Sequence, residues 1–128
     1  VSREGNKFWE PGNEAKRVIA QGLLELEIIT DLSQVKQYFM HGTSHYLGLD
    51  VHDVGLFAPL ERGNVITVEP GIYIPEGSPC NPKWWNIGVR IEDDVLITEG
   101  VPEVLSSCVP KTIKVIETLM KETSNITR

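Results

Sequence analysis

Apolar positions divide the chain into two kinds of period. From Asn13, a residue suited to an N-cap, Ala15, Val18, Ile19, Leu23 and Leu26 recur at helical spacing and predict a helix to about Ile29, despite Gly22. Glu14, Lys16, Arg17, Gln21 and Glu25 fill its other face, so this helix is expected to cover a core. Residues 1–12 show no period and read as an irregular lead-in, and Thr30 to Gln37 as a polar turn followed by a short extended or helical piece.

Beyond Tyr38-Phe39-Met40 the period falls to two. Leu47, Leu49 and Val51 alternate with Gly48, Asp50 and His52, which predicts a half-buried strand with the latter three on one face. After a connection from Asp53 to Gly63, Val65 to Glu69 is rich in β-branched residues and predicts a strand, with Thr67 and Glu69 facing one way and Ile66 and Val68 the other. Pro70-Gly71 stops or bends it, and Ile72-Tyr73-Ile74 continues it. Pro75 to Asn86 must be a loop, its Trp84-Trp85 expected to pack over something rather than stay wet.

Ile87 to Glu92 predicts a strand, Asp93-Asp94 a turn and Val95 to Thr98 the return arm of a hairpin, with Arg90 and Glu92 on one face. Val101 to Ser106 adds a short strand, and Pro110 suits the first position of a closing helix carrying Ile113, Val115, Ile116, Leu119 and Met120. Thr123 to Arg128 is expected to fray.

Composition narrows the partners. The chain has 128 residues, 41% hydrophobic and 23% charged, enough for a real core. A net charge of −6 and the lack of any Lys/Arg run argue against nucleic acid. No apolar stretch approaches the roughly 20 residues that cross a bilayer, so no membrane partner is expected. The start is neither a signal peptide nor a methionine, which suggests a piece of something longer. Cys80 and Cys108 lack the C-x-x-C spacing of redox or zinc motifs and fit a reducing, cytoplasmic setting.

All three histidines, His41, His45 and His52, fall within one short stretch. Imidazole is both a common metal ligand and the side chain best matched to proton transfer near neutral pH, so the cluster suggests a metal site, an acid–base site or both. Glu69 and Glu92 each sit in an apolar strand, where a carboxylate is costly unless compensated. Each can face water from one side of a sheet, or join His45 as an N/O ligand set for Mn, Co or Zn. Two such ions roughly 3.5 to 4 Å apart can share a bridging carboxylate and activate a water. Arg90 can orient a ligand carboxylate or form an ordinary cross-strand ion pair. No G-x-S-x-G elbow, G-x-G-x-x-G or Walker motif is present, which leaves serine hydrolase and nucleotide readings unsupported.

The stretch His41-Gly-Thr-Ser-His45-Tyr-Leu-Gly-Leu-Asp-Val-His52-Asp53 resembles the signature of the proline peptidases, the aminopeptidase P (Xaa-Pro aminopeptidase) and prolidase family. Thr67-Val-Glu69-Pro-Gly-Ile-Tyr73 and Ile87-Gly-Val-Arg90-Ile-Glu92-Asp-Asp94 resemble its two following metal motifs, in order and at suitable spacing. The resemblance implies an α+β fold of the pita-bread metallopeptidase type, here its C-terminal half, a curved, mostly antiparallel sheet covered by helices. It also implies a centre with two divalent ions, expected to be manganese, that removes an N-terminal residue preceding proline. By the same resemblance His45 and Glu69 hold one metal, and Glu92 bridges both. Glu69 also helps a proton reach the leaving nitrogen, His41 and His52 are catalytic residues that contact the substrate, and Arg90 supports the site.

The family's first two ligands are aspartates on strands preceding this region, and none of Asp31, Asp50, Asp53, Asp93 or Asp94 matches them by position. Residues 1–128 are therefore expected to be the C-terminal portion of a catalytic domain whose homo-oligomeric parent is the metal-dependent aminopeptidase, the portion alone being inactive. Prolidase and a non-catalytic pita-bread binding module are the rival readings.

Overall fold

A computed structural model describes residues 1–122. Helix α1 spans Glu10–Glu25, starting one turn earlier than Asn13, because Pro11 supplies a fixed φ in the first turn where its missing N–H costs nothing. The helix stops short of Ile29. Glu27 adopts φ 56°, the Ile28 N–H reaches back to the Leu23 carbonyl (2.9 Å) and the Glu27 N–H to that of Leu24 (3.0 Å). This left-handed closure turns Ile28 and Ile29 into the core as post-helical contacts. Asp31 then caps a 3₁₀ turn, Leu32–Gln37, accepting from the Ser33 N–H while the Gln34 side chain accepts from the Asp31 N–H.

Strands β1 (Val65–Val68) and β2 (Gly71–Ile74) flank Pro70, and β3 (Ile87–Arg90) and β4 (Asp93–Leu96) run back antiparallel. The hairpin expected across Asp93-Asp94 does not form. Instead β3 pairs with β2 and β4 with β1, so Asp93 and Asp94 lie within a strand. Register is identical on both sides of the interruption, with Val68 opposite Asp93 and Gly71 opposite Arg90. β5 (Glu103–Val104) adds to β4. Lys111 and Ser106 fasten the following segment to Asp93 (2.9 and 2.6 Å). Burial raises the Asp93 pKa, but these two partners outweigh it and the carboxyl ends below its usual range.

The closing helix α2 spans Ile113–Lys121 with Thr112 as its N-cap, so Pro110 lies before it rather than at its first position. Its apolar residues remain exposed. The fraying expected for Thr123 to Arg128 lies outside the described residues.

Two cores hold these elements. Ala20, Leu23, Ile28, Ile29, Val35, Tyr38, Phe39 and Ile74 form one, with Trp84 and Trp85 packed against it as their apolar area demanded. Phe8, Leu60, Ile66, Val95 and Ile97 form the other. Ile66 is fully buried while Thr67 and Glu69 turn to the opposite side, the alternation expected of β1.

The predicted strand over Leu47 to Val51 is absent. Leu49 and Val51 are exposed, and the segment is a loop closed by the Asp53 N–H to the Tyr46 carbonyl (3.0 Å). Asp53 organises it, accepting from the Leu49 N–H (2.9 Å) and the Val54 N–H (2.8 Å). A side chain at Gly48 would displace the Asp53 carboxylate from these bonds. Gly48, Asp50 and His52 therefore share no strand face.

Candidate metal centre

The shared register places Glu69 opposite Glu92, across the interruption at Pro70. Like charges directly opposed in a sheet are unfavourable, so the backbone sets up a repulsion that a cation relieves. Residues 43–47 run along the other side of β1, where Thr43, His45 and Val65 carbonyls accept from Glu69, Thr67 and Leu47 N–H groups (2.8, 2.9 and 3.1 Å). This pairing brings His45 beside Glu69.

The His45 Nδ1–H donates to the Tyr46 carbonyl (2.9 Å), which leaves Nε2 as the free lone pair, 3.2 Å from Glu69 Oε1. Thr67 couples the two side chains. Its Oγ1 accepts from the His45 backbone N–H (3.0 Å) and donates to Glu69 Oε1 (3.2 Å). One donor atom each from His45, Glu69 and Glu92 lies within 4.8 Å of the others. An imidazole nitrogen and two carboxylates, with the imidazole tautomer already fixed, suit a hard or borderline divalent ion.

Arg90, half-exposed on β3, points its guanidinium at Glu69 Oε2 (3.8 Å), and this is its ion-pair partner. His52 comes back over the site through the closed loop, its ring centroid 4.1 Å from that of His45. A cleft of about 340 Å³ is lined by His41, Ser44, His45, His52, Glu69 and Arg90. Glu92 stands at its exposed margin. A larger cleft, about 600 Å³, is also lined by residues 41–44, together with Phe8, Trp9, Lys16 and Lys36. The smaller one gathers the three histidines with Glu69 and Arg90.

All six residues singled out from the sequence thus gather in one region: His41, His45, His52, Glu69, Arg90 and Glu92. Sequence reasoning passed over the organising roles of Thr67, a buried hydroxyl amid β-branched residues, and of Asp53. A polar side chain inside an apolar strand was the available signal for the first. Asp53 carried none, since its importance depends on a loop that period-2 patterning disguised as a strand.

The model of metallopeptidase family M24 matches residues 1–99, and the chain belongs to this family. It is 44% identical to the Xaa-Pro aminopeptidase of Haemophilus influenzae, covering 91% of this chain and 30% of that protein. With the mitochondrial intermediate cleaving peptidase 55 of Arabidopsis thaliana it shares 47% identity, over 94% of this chain and 26% of that protein. The structure of E. coli aminopeptidase P with the inhibitor Pro-Leu superposes with a TM-score of 0.85 at 42% identity, covering 92% and 30% of the two chains. The fold is therefore of the pita-bread type, α+β as the resemblance implied. The chain spans about 30% of the length of these Xaa-Pro aminopeptidases.

Proposed function

We propose that residues 1–128 are the C-terminal portion of the catalytic domain of an Xaa-Pro aminopeptidase. The carrying observation is the register that opposes Glu69 and Glu92 with the His45 Nε2 lone pair beside them. In this reading His45, Glu69 and Glu92 would hold the divalent ions together with ligands from the rest of the parent. Manganese is the proposed native ion, and this hard-to-borderline N/O donor set also admits zinc, as in the Zn-substituted E. coli aminopeptidase P. The bound ions supply the Lewis acidity that makes water a nucleophile at neutral pH.

The chain's own residues do the rest. Glu69 takes the proton released by water as it adds to the scissile carbonyl and delivers it to the proline nitrogen as the C–N bond breaks. His52, above His45, donates to the oxygen that gains charge, and His41 forms the neighbouring wall of the cleft against the substrate. Arg90, its guanidinium 3.8 Å from the second oxygen of Glu69, supports that carboxylate as an ion-pair partner without a hydrogen bond to it.

Three ligands alone do not make a two-ion centre, so the rest of the parent supplies the others and the isolated chain is inactive. Exposed apolar side chains support this: Leu49, Val54, Leu56 and Phe57 on one loop and Ile113 and Met120 on α2 lack cover among the described residues. The parent's other parts, and a second copy in a homo-oligomer, are the proposed cover. Two free cysteines fit a reducing compartment, and cytoplasm is the proposed location.

Peptides of increasing length test the function. The manganese-loaded full-length protein should release the first residue of an Xaa-Pro-Xaa tripeptide. Cleavage of Xaa-Pro dipeptides alone would make it a prolidase, and absence of cleavage with two ions bound would make it a binding module.

A further inference from the structure

His41 has both ring nitrogens committed. Its Nδ1 lies 2.6 Å from the Gly42 carbonyl oxygen, which only accepts, so Nδ1 carries the proton and Nε2 is bare in the neutral ring. The Tyr73 hydroxyl stands 3.0 Å from Nε2 and, in this tautomer, donates to its lone pair. The Tyr73 N–H in turn donates to the Tyr38 carbonyl (2.9 Å), which ties β2 to the segment leading into His41. Phe39 meets the His41 ring edge-on at 5.8 Å between centroids. The ring is held by two hydrogen bonds and an aromatic edge.

Gly71 makes this arrangement possible. A Cβ there would lie 2.5 Å from the Tyr73 hydroxyl oxygen and 2.9 Å from His41 Nε2, inside the hydrogen bond itself. Gly71 is buried and has ordinary strand backbone, so what it provides is space rather than an unusual φ. Glu69, Gly71 and Tyr73 alternate along one stretch, placing a ligand carboxylate, a gap and a clamp in succession.

We propose that Tyr73 is a positioning residue that locks His41 as the Nδ1–H tautomer, with Gly71 as the space that admits the lock. This rests on the reading of His41 as a wall of the substrate cleft. It adds that His41 meets the substrate as a fixed ring whose nitrogens are both already bonded, so proton transfer is left to Glu69 and hydrogen-bond donation to His52.

The experiment is long-range ¹⁵N–¹H correlation on the full-length protein labelled at histidine, with His41 assigned by substitution, for wild type, Tyr73→Phe and Gly71→Ala. Wild-type His41 should show protonated Nδ1 and bare Nε2, and both variants should move Nε2 toward the position of an unbonded pyridine-like nitrogen. In parallel, kcat/KM on an Xaa-Pro tripeptide should fall about fivefold in Tyr73→Phe, the loss expected for one neutral hydrogen bond, with metal content unchanged. An Nε2–H tautomer in wild type, or an Nε2 resonance indifferent to Tyr73→Phe, overturns the proposal. A wild type that shows the lock but cleaves no Xaa-Pro peptide overturns the functional reading and leaves the lock standing. Should Gly71→Ala fail to fold, the Tyr73→Phe spectrum decides alone.

Discussion

Opposing Glu69 and Glu92 across the ribbon stores a repulsion that one conservative change should release. Their ligand atoms lie within 4.8 Å. At that distance two unit charges repel by about 1 kcal/mol at the dielectric of water and about 3.5 kcal/mol at an effective dielectric of 20. Glu69 is only 14% exposed but Glu92 lies open to solvent, and Arg90 at 3.8 Å offsets part of the charge, so the lower figure applies. Glu92→Gln in the full-length protein should therefore raise stability by about 1 kcal/mol when metal is stripped with a chelator at neutral pH. It should also lose most of the stabilisation that manganese gives the wild type, because an ion that binds only the folded state stabilises by mass action. Urea unfolding of both proteins, with chelator and with manganese, reads both effects as midpoint shifts. A metal-free Glu92→Gln less stable than wild type, or one stabilised by manganese as much as wild type, would refute the opposed-carboxylate account.

Other consequences are more local. Thr67→Val keeps the shape of a side chain only 1% exposed but orphans the His45 N–H and frees Glu69 Oε1. It should cost about 2 kcal/mol in denaturant unfolding and weaken metal binding by roughly 10- to 100-fold in calorimetric titration. Glu27→Gly relieves a left-handed non-glycine residue at the end of α1 and should stabilise by about 1 kcal/mol in the same unfolding assay. Hydrogen bonds from the Ser33 hydroxyl and backbone N–H hold the Asp31 carboxyl below its usual range. A depressed folded pKa gives stability that is present above the unfolded value, about 3.9, and lost as pH falls through the folded one. Asp31→Ala should thus be less stable than wild type near neutral pH, and the difference should shrink in acid unfolding below about pH 4.

Much of the site was legible because its residues sit where side-chain period is strict. In Val65-Ile-Thr-Val-Glu69 the alternation alone puts Ile66 inside and Thr67 with Glu69 on the other face. Partner choice was not legible. Asp93-Asp94 has the composition of a turn, yet the chain crosses from one partner to the next at Ile91-Glu92 while Pro70 interrupts the opposite strand. That crossing is what brings Glu92 opposite Glu69, and no local pattern reports it. Leu49 and Val51 misled for the reverse reason. Their alternation mimics a strand, but Asp53 closes the backbone into a loop and leaves both side chains outside. The end of α1 was obscured because a glutamate, not a glycine, occupies the left-handed position.

The central claim is that His45, Glu69 and Glu92 hold the ions of a two-metal peptidase centre. Anomalous diffraction from crystals of the full-length protein grown with manganese tests it most directly. The account predicts two peaks about 3.5 to 4 Å apart, with His45 Nε2 and Glu69 on one and Glu92 on both. A single peak, or two peaks out of reach of Glu92, would contradict it.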